Sequence, residues 1–226
     1  KKKMRKIQLV LVALIVLILS AFKADHVITI YMIGDSTMSN KPLEGNNQER
    51  GWGHVLGSFF TEDVRVENHA MNGRSSKSFI DEGRWETVVN KIRPGDYVFI
   101  QFGHNDEKPQ PERHTDPGTT FDENLRKFVR ETRAKGGIPV LFNSIVRRNF
   151  GVNPDAVAAD DIRPEKDEAV VEGDTLIDTH GKYLESPRNV AKEMDVCFID
   201  LNQATKKLVE SYGVEGSKKL FMWIPA

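Results

Sequence analysis

The chain has 226 residues, which is enough for one domain with a substantial hydrophobic core. Lys and Arg (32) nearly balance Asp and Glu (33). The first 24 residues contain six basic residues and no acidic one, so the rest carries 26 Lys and Arg against 33 Asp and Glu, a net charge of about −7. A nucleic-acid partner requires a basic surface, so this charge balance argues against one.

Residues 1–24 differ in composition from the rest of the chain. A basic stretch (1–6) precedes an apolar one (7–19, except Gln8), and small residues come next. This order predicts a signal peptide over 1–24, followed by one domain over 25–226 in a secreted or periplasmic protein with no membrane contact after cleavage. An N-terminal anchor stays open, because the cleavage pattern is imperfect, although a membrane-spanning helix needs about 20 apolar residues.

From Val27 onward, strand-like apolar runs alternate with helical patterns. Strands are predicted at 27–33, 64–68, 97–102, 139–145 and 197–201. Helical spacing occurs at 77–92, 121–135 and 187–194. Such alternation predicts an α/β fold, a three-layer α/β/α sandwich around a five-stranded parallel, flavodoxin-like sheet.

Three segments lack either pattern, at 41–51, 106–120 and 147–174. The first two leave the predicted sheet at the carboxyl ends of strands, where loops commonly carry function. The single cysteine, Cys197, lies in the apolar run 196–199 and is expected to pack in the core.

Three polar stretches follow three of the predicted strands. Gly34-Asp35-Ser36-Thr37-Met38 follows the first, Asn72-Gly73-Arg74-Ser75 the second and Phe102-Gly103-His104-Asn105-Asp106 the third. Parallel strands bring their carboxyl ends to one edge, where α/β sheets bind ligands. Each stretch taken singly is also explained as a turn or a helix cap.

In this order, the three stretches resemble the first three motifs of the SGNH (GDSL-type) hydrolases, and more narrowly the rhamnogalacturonan acetylesterase branch. The resemblance runs from about Val27 to Phe221 and implies a serine esterase. By position, Ser36 corresponds to the nucleophile, whose own N–H is one oxyanion donor. The same resemblance implies that Gly73 supplies a second donor through its backbone N–H and Asn105 a third through its side-chain amide. Asp35 is expected to bond the loop backbone.

The sequence departs from the family in one respect. The family's base and its orienting acid lie in an Asp-x-x-His motif near the C-terminus, and none of the six histidines here has an aspartate three residues before it. We expect that dyad beyond Ala226, so that 25–226 is a hydrolase domain lacking its C-terminal end and with little activity as given. His180, in Asp178-Thr179-His180, and His104 are the alternative bases.

The resemblance implies removal of acetyl groups from a plant polysaccharide, with acetylated rhamnogalacturonan (pectin) as the first choice. Arg74, Lys77 and Lys41 lie near the motifs and are candidates for contact with a polyuronate. Acetylated xylan, a lipid acyl ester and a non-catalytic polysaccharide-binding role stay open. No cofactor and no metal are expected.

Overall fold

The computed structural model describes residues 27–150 and 176–221, so the predicted signal peptide and most of segment 147–174 lie outside the described residues. Five parallel strands form one sheet in the order β2-β1-β3-β4-β5. They are β1 (Ile28–Gly34), β2 (Val64–Asn68), β3 (Tyr97–Gln101), β4 (Ile138–Phe142) and β5 (Cys197–Ile199). The predicted flavodoxin-like sheet is therefore confirmed.

Six α-helices are found in the described part of the chain. They are α1 (Gly53–Leu56), α2 (Ser76–Asp81), α3 (Arg84–Val89), α4 (Thr120–Ala134), α5 (Glu185–Met194) and α6 (Leu201–Gly216). The single helix predicted at 77–92 is wrong in one respect: Gly83, at φ 68°, takes the left-handed conformation and splits it into α2 and α3. Helix α6 was not predicted, and it packs Val209 into a small cluster with Val146, Phe150 and Leu176.

Alternating side chains of β1 face two different cores. Tyr31 and Ile33 belong to the larger core, whereas Ile30 and Met32 belong to the smaller one on the opposite face. One apolar face of α4 packs into the larger core through Phe121, Leu125, Phe128 and Val129. Both faces of β1 are therefore buried, and its carboxyl end lies between those of β2 and β3.

The predicted burial of Cys197 is wrong. This residue is exposed, as is Ile199, which lies two positions later on the same face of β5. Strand β5 lies at the edge of the sheet, and Phe198, pointing the other way, packs against the larger core. An apolar run in the sequence does not distinguish an edge strand, buried on one face, from a central strand buried on both.

Within 27–150 and 176–221, the structure contains no helix with the length and apolar character needed to cross a membrane.

Candidate active site

The three predicted site residues lie on loops that leave neighbouring strands. Ser36 follows β1, Gly73 follows β2 and Asn105 follows β3, and β1 is the strand between the other two. Hydrogen bonds join the loops directly. The Ser39 hydroxyl donates to Asn72 Oδ1 (2.6 Å), and Asn105 Nδ2 donates to the backbone oxygen of Arg74 (3.2 Å). The structure therefore brings all three predicted segments together at one edge of the sheet.

Asp35 shapes the loop that carries Ser36. Its Oδ1 accepts hydrogen bonds from the backbone N–H (2.9 Å) and the hydroxyl (2.8 Å) of Thr37, as the sequence predicted. Gln101, at the end of β3, donates to the same hydroxyl (2.7 Å). Hydrogen bonds from Thr37 and Gln101 thus hold the loop after β1, and Ser36 lies in the turn of that loop.

The Ser36 side chain is partly exposed, and no residue in the described part of the chain hydrogen-bonds its hydroxyl. A nucleophile needs such access, because its lone pair must reach the carbonyl carbon. Gly73 is also partly exposed. Its backbone has φ 75°, a conformation that residues other than glycine rarely adopt. Apart from its two chain neighbours, no atom of the described residues lies within 4 Å of the position that a Cβ would take there, so backbone conformation rather than crowding calls for glycine.

Asn105 is almost fully buried, with 4% of its surface exposed. Its Nδ2 donates a hydrogen bond to the backbone oxygen of Arg74, and its Oδ1 accepts one from Nη1 of Arg113 (3.4 Å). A carboxamide nitrogen carries two N–H groups, so one remains for a ligand.

Asp106 has a structural role beyond the turn formation that its local sequence suggests. It is fully buried and accepts from the backbone N–H of Ser76 (3.0 Å), the hydroxyl of Thr115 (2.9 Å) and the backbone N–H of Gly103 (3.1 Å). Burial raises the pKa of Asp106 to about 7, while the bonds from Ser76 and Thr115 act in the opposite direction. Asp106 thereby ties the Gly73 loop to the Asn105 loop. Its partner Ser76 lies 30 residues away, so no local pattern reveals the contact.

Both alternative bases, His180 and His104, are buried. The His180 side chain is fully buried, with Nδ1 facing Glu107 (3.0 Å) and Nε2 facing the backbone oxygen of Ile145 (3.1 Å). Both ring nitrogens of His180 therefore already have hydrogen-bond partners within the protein. His104 packs edge-on against His180 (ring centroids 4.4 Å apart), and burial holds the pKa of His104 well below its usual range.

His104, Glu107 and His180 place potential metal-ligand atoms within 4.8 Å of one another. The donor set fits a cation poorly, because Glu107 already forms an ion pair with Arg147 and both nitrogens of His180 are bonded. We interpret this cluster as a buried hydrogen-bonded junction between the loops after β3 and β4.

The basic residues near the motifs have acidic partners. Lys41 is buried and contacts Glu49 (2.7 Å) as well as Asn72, while Lys77 pairs with Asp81. Arg74 pairs with Glu82 and borders a groove of about 420 Å³ that begins at Gly73. Five charged side chains line this groove: Arg74, Asp81, Glu82, Glu112 and Arg113.

Replacing Asp35 by asparagine tests the electrostatics of the nucleophile loop. Burial raises the pKa of Asp35 to about 6, and its Oδ2 has no hydrogen-bond partner among the described residues. The folded protein therefore keeps this proton when the unfolded chain has lost it, and the associated stability disappears as pH rises from about 4 to about 6. Asparagine mimics the neutral acid and keeps the acceptor for Thr37. In urea titrations, the stability of Asp35→Asn relative to the parent is expected to rise by about 2 kcal/mol between pH 4 and pH 7.5. A relative stability that stays constant or falls would contradict this assignment.

An all-parallel sheet in the order 2-1-3-4-5, with hydrogen-bonded polar loops at its carboxyl edge, defines a flavodoxin-like α/β protein, a class in which ligands commonly bind at such loops. The chain belongs to the GDSL-like lipase/acylhydrolase family, whose model matches residues 32–214. It is thus a carboxylic ester hydrolase, and the resemblance drawn from the three motifs is confirmed.

Similar proteins come from Bacillus subtilis. Rhamnogalacturonan acetylesterase RhgT is 40% identical over 196 residues, which are 87% of this chain and 74% of RhgT. Probable rhamnogalacturonan acetylesterase YesY is 32% identical over 200 residues, 88% of this chain and 80% of YesY. The crystal structure of protein YxiM superposes with a TM-score of 0.68 at 26% identity. That match covers 86% of this chain, which spans about half (49%) of the YxiM chain.

Proposed function

We propose that this protein is a serine esterase that removes O-acetyl groups from acetylated rhamnogalacturonan through an acyl-enzyme on Ser36. One observation carries the proposal: the loops of Ser36, Gly73 and Asn105 are hydrogen-bonded to one another at the carboxyl edge of the sheet. The names of the relatives RhgT and YesY supply the substrate class.

In the proposed reaction, Ser36 Oγ attacks the acetyl carbonyl carbon and loses its proton to a base. The carbonyl oxygen becomes an oxyanion and accepts hydrogen bonds from the N–H groups of Ser36 and Gly73 and from Asn105 Nδ2. Collapse of this intermediate breaks the bond to the sugar oxygen, which takes up the proton from the base and leaves as a hydroxyl, so that acetyl-Ser36 remains. Water then attacks the acetyl carbon and gives up a proton to the base, the bond to Ser36 Oγ breaks as Oγ regains a proton, and acetate is released. Preorganised donors of this kind stabilise the transition state, each by roughly 3–4 kcal/mol.

The base is the one role without a candidate among the described residues, since His104 and His180 are buried and no histidine follows the Asp-x-x-His pattern. We therefore propose that the family's Asp-x-x-His dyad supplies the base and that this chain alone hydrolyses its substrate slowly. In a serine protease, losing the triad histidine lowers turnover about a millionfold.

Acetate release with added imidazole tests the function directly, because imidazole supplies the missing base from solution. The chain is incubated with acetylated rhamnogalacturonan at several imidazole concentrations, beside Ser36→Ala and an imidazole blank. We expect acetate release to rise with imidazole in the parent chain, to stay at the blank level in Ser36→Ala, and to be slower on acetylated xylan. Equal release by Ser36→Ala would refute the proposal.

The groove beside Gly73 favours a sugar substrate over a lipid, because five charged side chains line it.

We also propose that residues 1–24 direct export of the protein to the cell exterior or the periplasm, where it would encounter a plant polysaccharide. An N-terminal sequence of the exported product that begins near residue 25 is the expected result; retention of residues 1–24 would indicate an anchor.

A further inference from the structure

The side-chain amide of Asn105 has two ends with opposite requirements. Its Nδ2 donates to the backbone oxygen of Arg74 (3.2 Å), and its Oδ1 accepts from Arg113 (3.4 Å). The two ends have nearly the same shape, so hydrogen-bond partners determine which way the amide points. Rotation by 180° would set oxygen against the Arg74 carbonyl and NH₂ against the guanidinium. Both contacts therefore select one orientation.

Arg113 is held in place by its own loop. Its backbone N–H donates to the Gln110 oxygen (2.9 Å), and two residues later the hydroxyl of Thr115 bonds the buried carboxyl of Asp106. Asp106 is adjacent to Asn105 in the chain. The loop that carries Arg113 and the residue next to Asn105 are thus joined through the same buried carboxyl group.

We propose that Arg113 is a positioning residue for the oxyanion hole: it orients the Asn105 amide and polarises it, so that the free N–H is a stronger donor to the substrate oxyanion. This inference rests on the proposed function of Ser36 and Asn105. A cation at the oxygen end draws electron density from the amide nitrogen, and linked hydrogen bonds strengthen one another by about 10–30%. Arg113 is only partly exposed, so water screens its charge incompletely.

Methylboronic acid is the probe, because it forms a tetrahedral adduct without needing the general base. The Ser36 oxygen adds to boron and its proton passes to the buffer, leaving a four-coordinate boronate anion that resembles the oxyanion intermediate. Binding of such mimics reports transition-state stabilisation. Boron NMR at about pH 8 gives the dissociation constant from the tetrahedral signal.

We expect Arg113→Ala to weaken adduct formation about tenfold, the size of one charge-assisted hydrogen bond. Arg113→Lys is expected to keep part of the affinity, because the lysine ammonium group keeps the positive charge but lacks the planar guanidinium geometry. Arg130→Ala is the matched control: Arg130 is an exposed arginine on α4 that pairs with Glu123, and its loss leaves binding unchanged.

A double-mutant cycle separates action through Asn105 from general damage to the loop. If Arg113 acts through Asn105, the double variant Asn105→Ala/Arg113→Ala binds the boronate no more weakly than Asn105→Ala alone. Parent-like binding by Arg113→Ala, or fully additive losses in the double variant, would overturn the inference and leave the proposed function intact. An adduct that persists in Ser36→Ala would instead overturn the proposed function, and the inference with it.

Discussion

Replacing Asp106 by alanine is expected to destabilise the fold by about 3–5 kcal/mol. The side chain is fully buried and accepts hydrogen bonds from Ser76, Gly103 and Thr115. Alanine would leave those donors without an acceptor in the interior, where each unpaired polar group costs about 1–3 kcal/mol. The loop of Gly73 and the loop of Asn105 would also lose the group that joins them.

Urea titration monitored by tryptophan fluorescence measures this loss. Asp81→Ala is the control, because Asp81 is an exposed aspartate that pairs with Lys77 at the surface, and a change below about 1 kcal/mol is expected there. Asp106→Asn should fall between the two, since it keeps one acceptor oxygen but presents NH₂ to the remaining donors. A loss of stability in Asp106→Ala as small as that in Asp81→Ala would show that the loops of Gly73 and Asn105 do not depend on Asp106.

Replacing Asn105 by alanine is expected to lower imidazole-supported acetate release about 10²–10³-fold, the usual effect of removing one oxyanion donor. The fold should change little by comparison. Asn105 forms two side-chain hydrogen bonds, one of them long at 3.4 Å, so a loss of roughly 1 kcal/mol in stability is expected. A large rate effect with a small stability effect identifies a group that acts on the reaction.

Asn105→Asp distinguishes a donor from a space-filling side chain. Aspartate has nearly the shape of asparagine, but it presents a negatively charged acceptor where the oxyanion would form. We expect this variant to be at least as slow as Asn105→Ala. Activity near the parent level in Asn105→Asp would exclude a donor role for Asn105.

The sequence was sufficient to predict the sheet and to place the three motif loops on it. Hydropathy located β1, and a polar stretch after a buried strand placed Ser36 at the sheet edge. Strand order followed from the alternation of strands and helices together with the handedness of crossovers. These features depend on residues close together in the chain.

Features that depend on distant contacts could not be predicted from the sequence. The exposure of Cys197 depends on β5 lying at the edge of the sheet, which its own apolar neighbours do not reveal. His180, one of the alternative bases, is buried in contact with Glu107, which lies 73 residues away. The orientation of Asn105 likewise depends on Arg74, 31 residues before it.

The most direct test of the central claim is to locate the acyl group on the protein. The chain is incubated with p-nitrophenyl acetate in the presence of imidazole, quenched with acid, digested and analysed by peptide mass spectrometry. The proposed function predicts one additional acetyl group on the peptide that contains Ser36, and none at that position in Ser36→Ala. Acetylation confined to lysines, or the same peptide pattern in both proteins, would contradict Ser36 as the nucleophile.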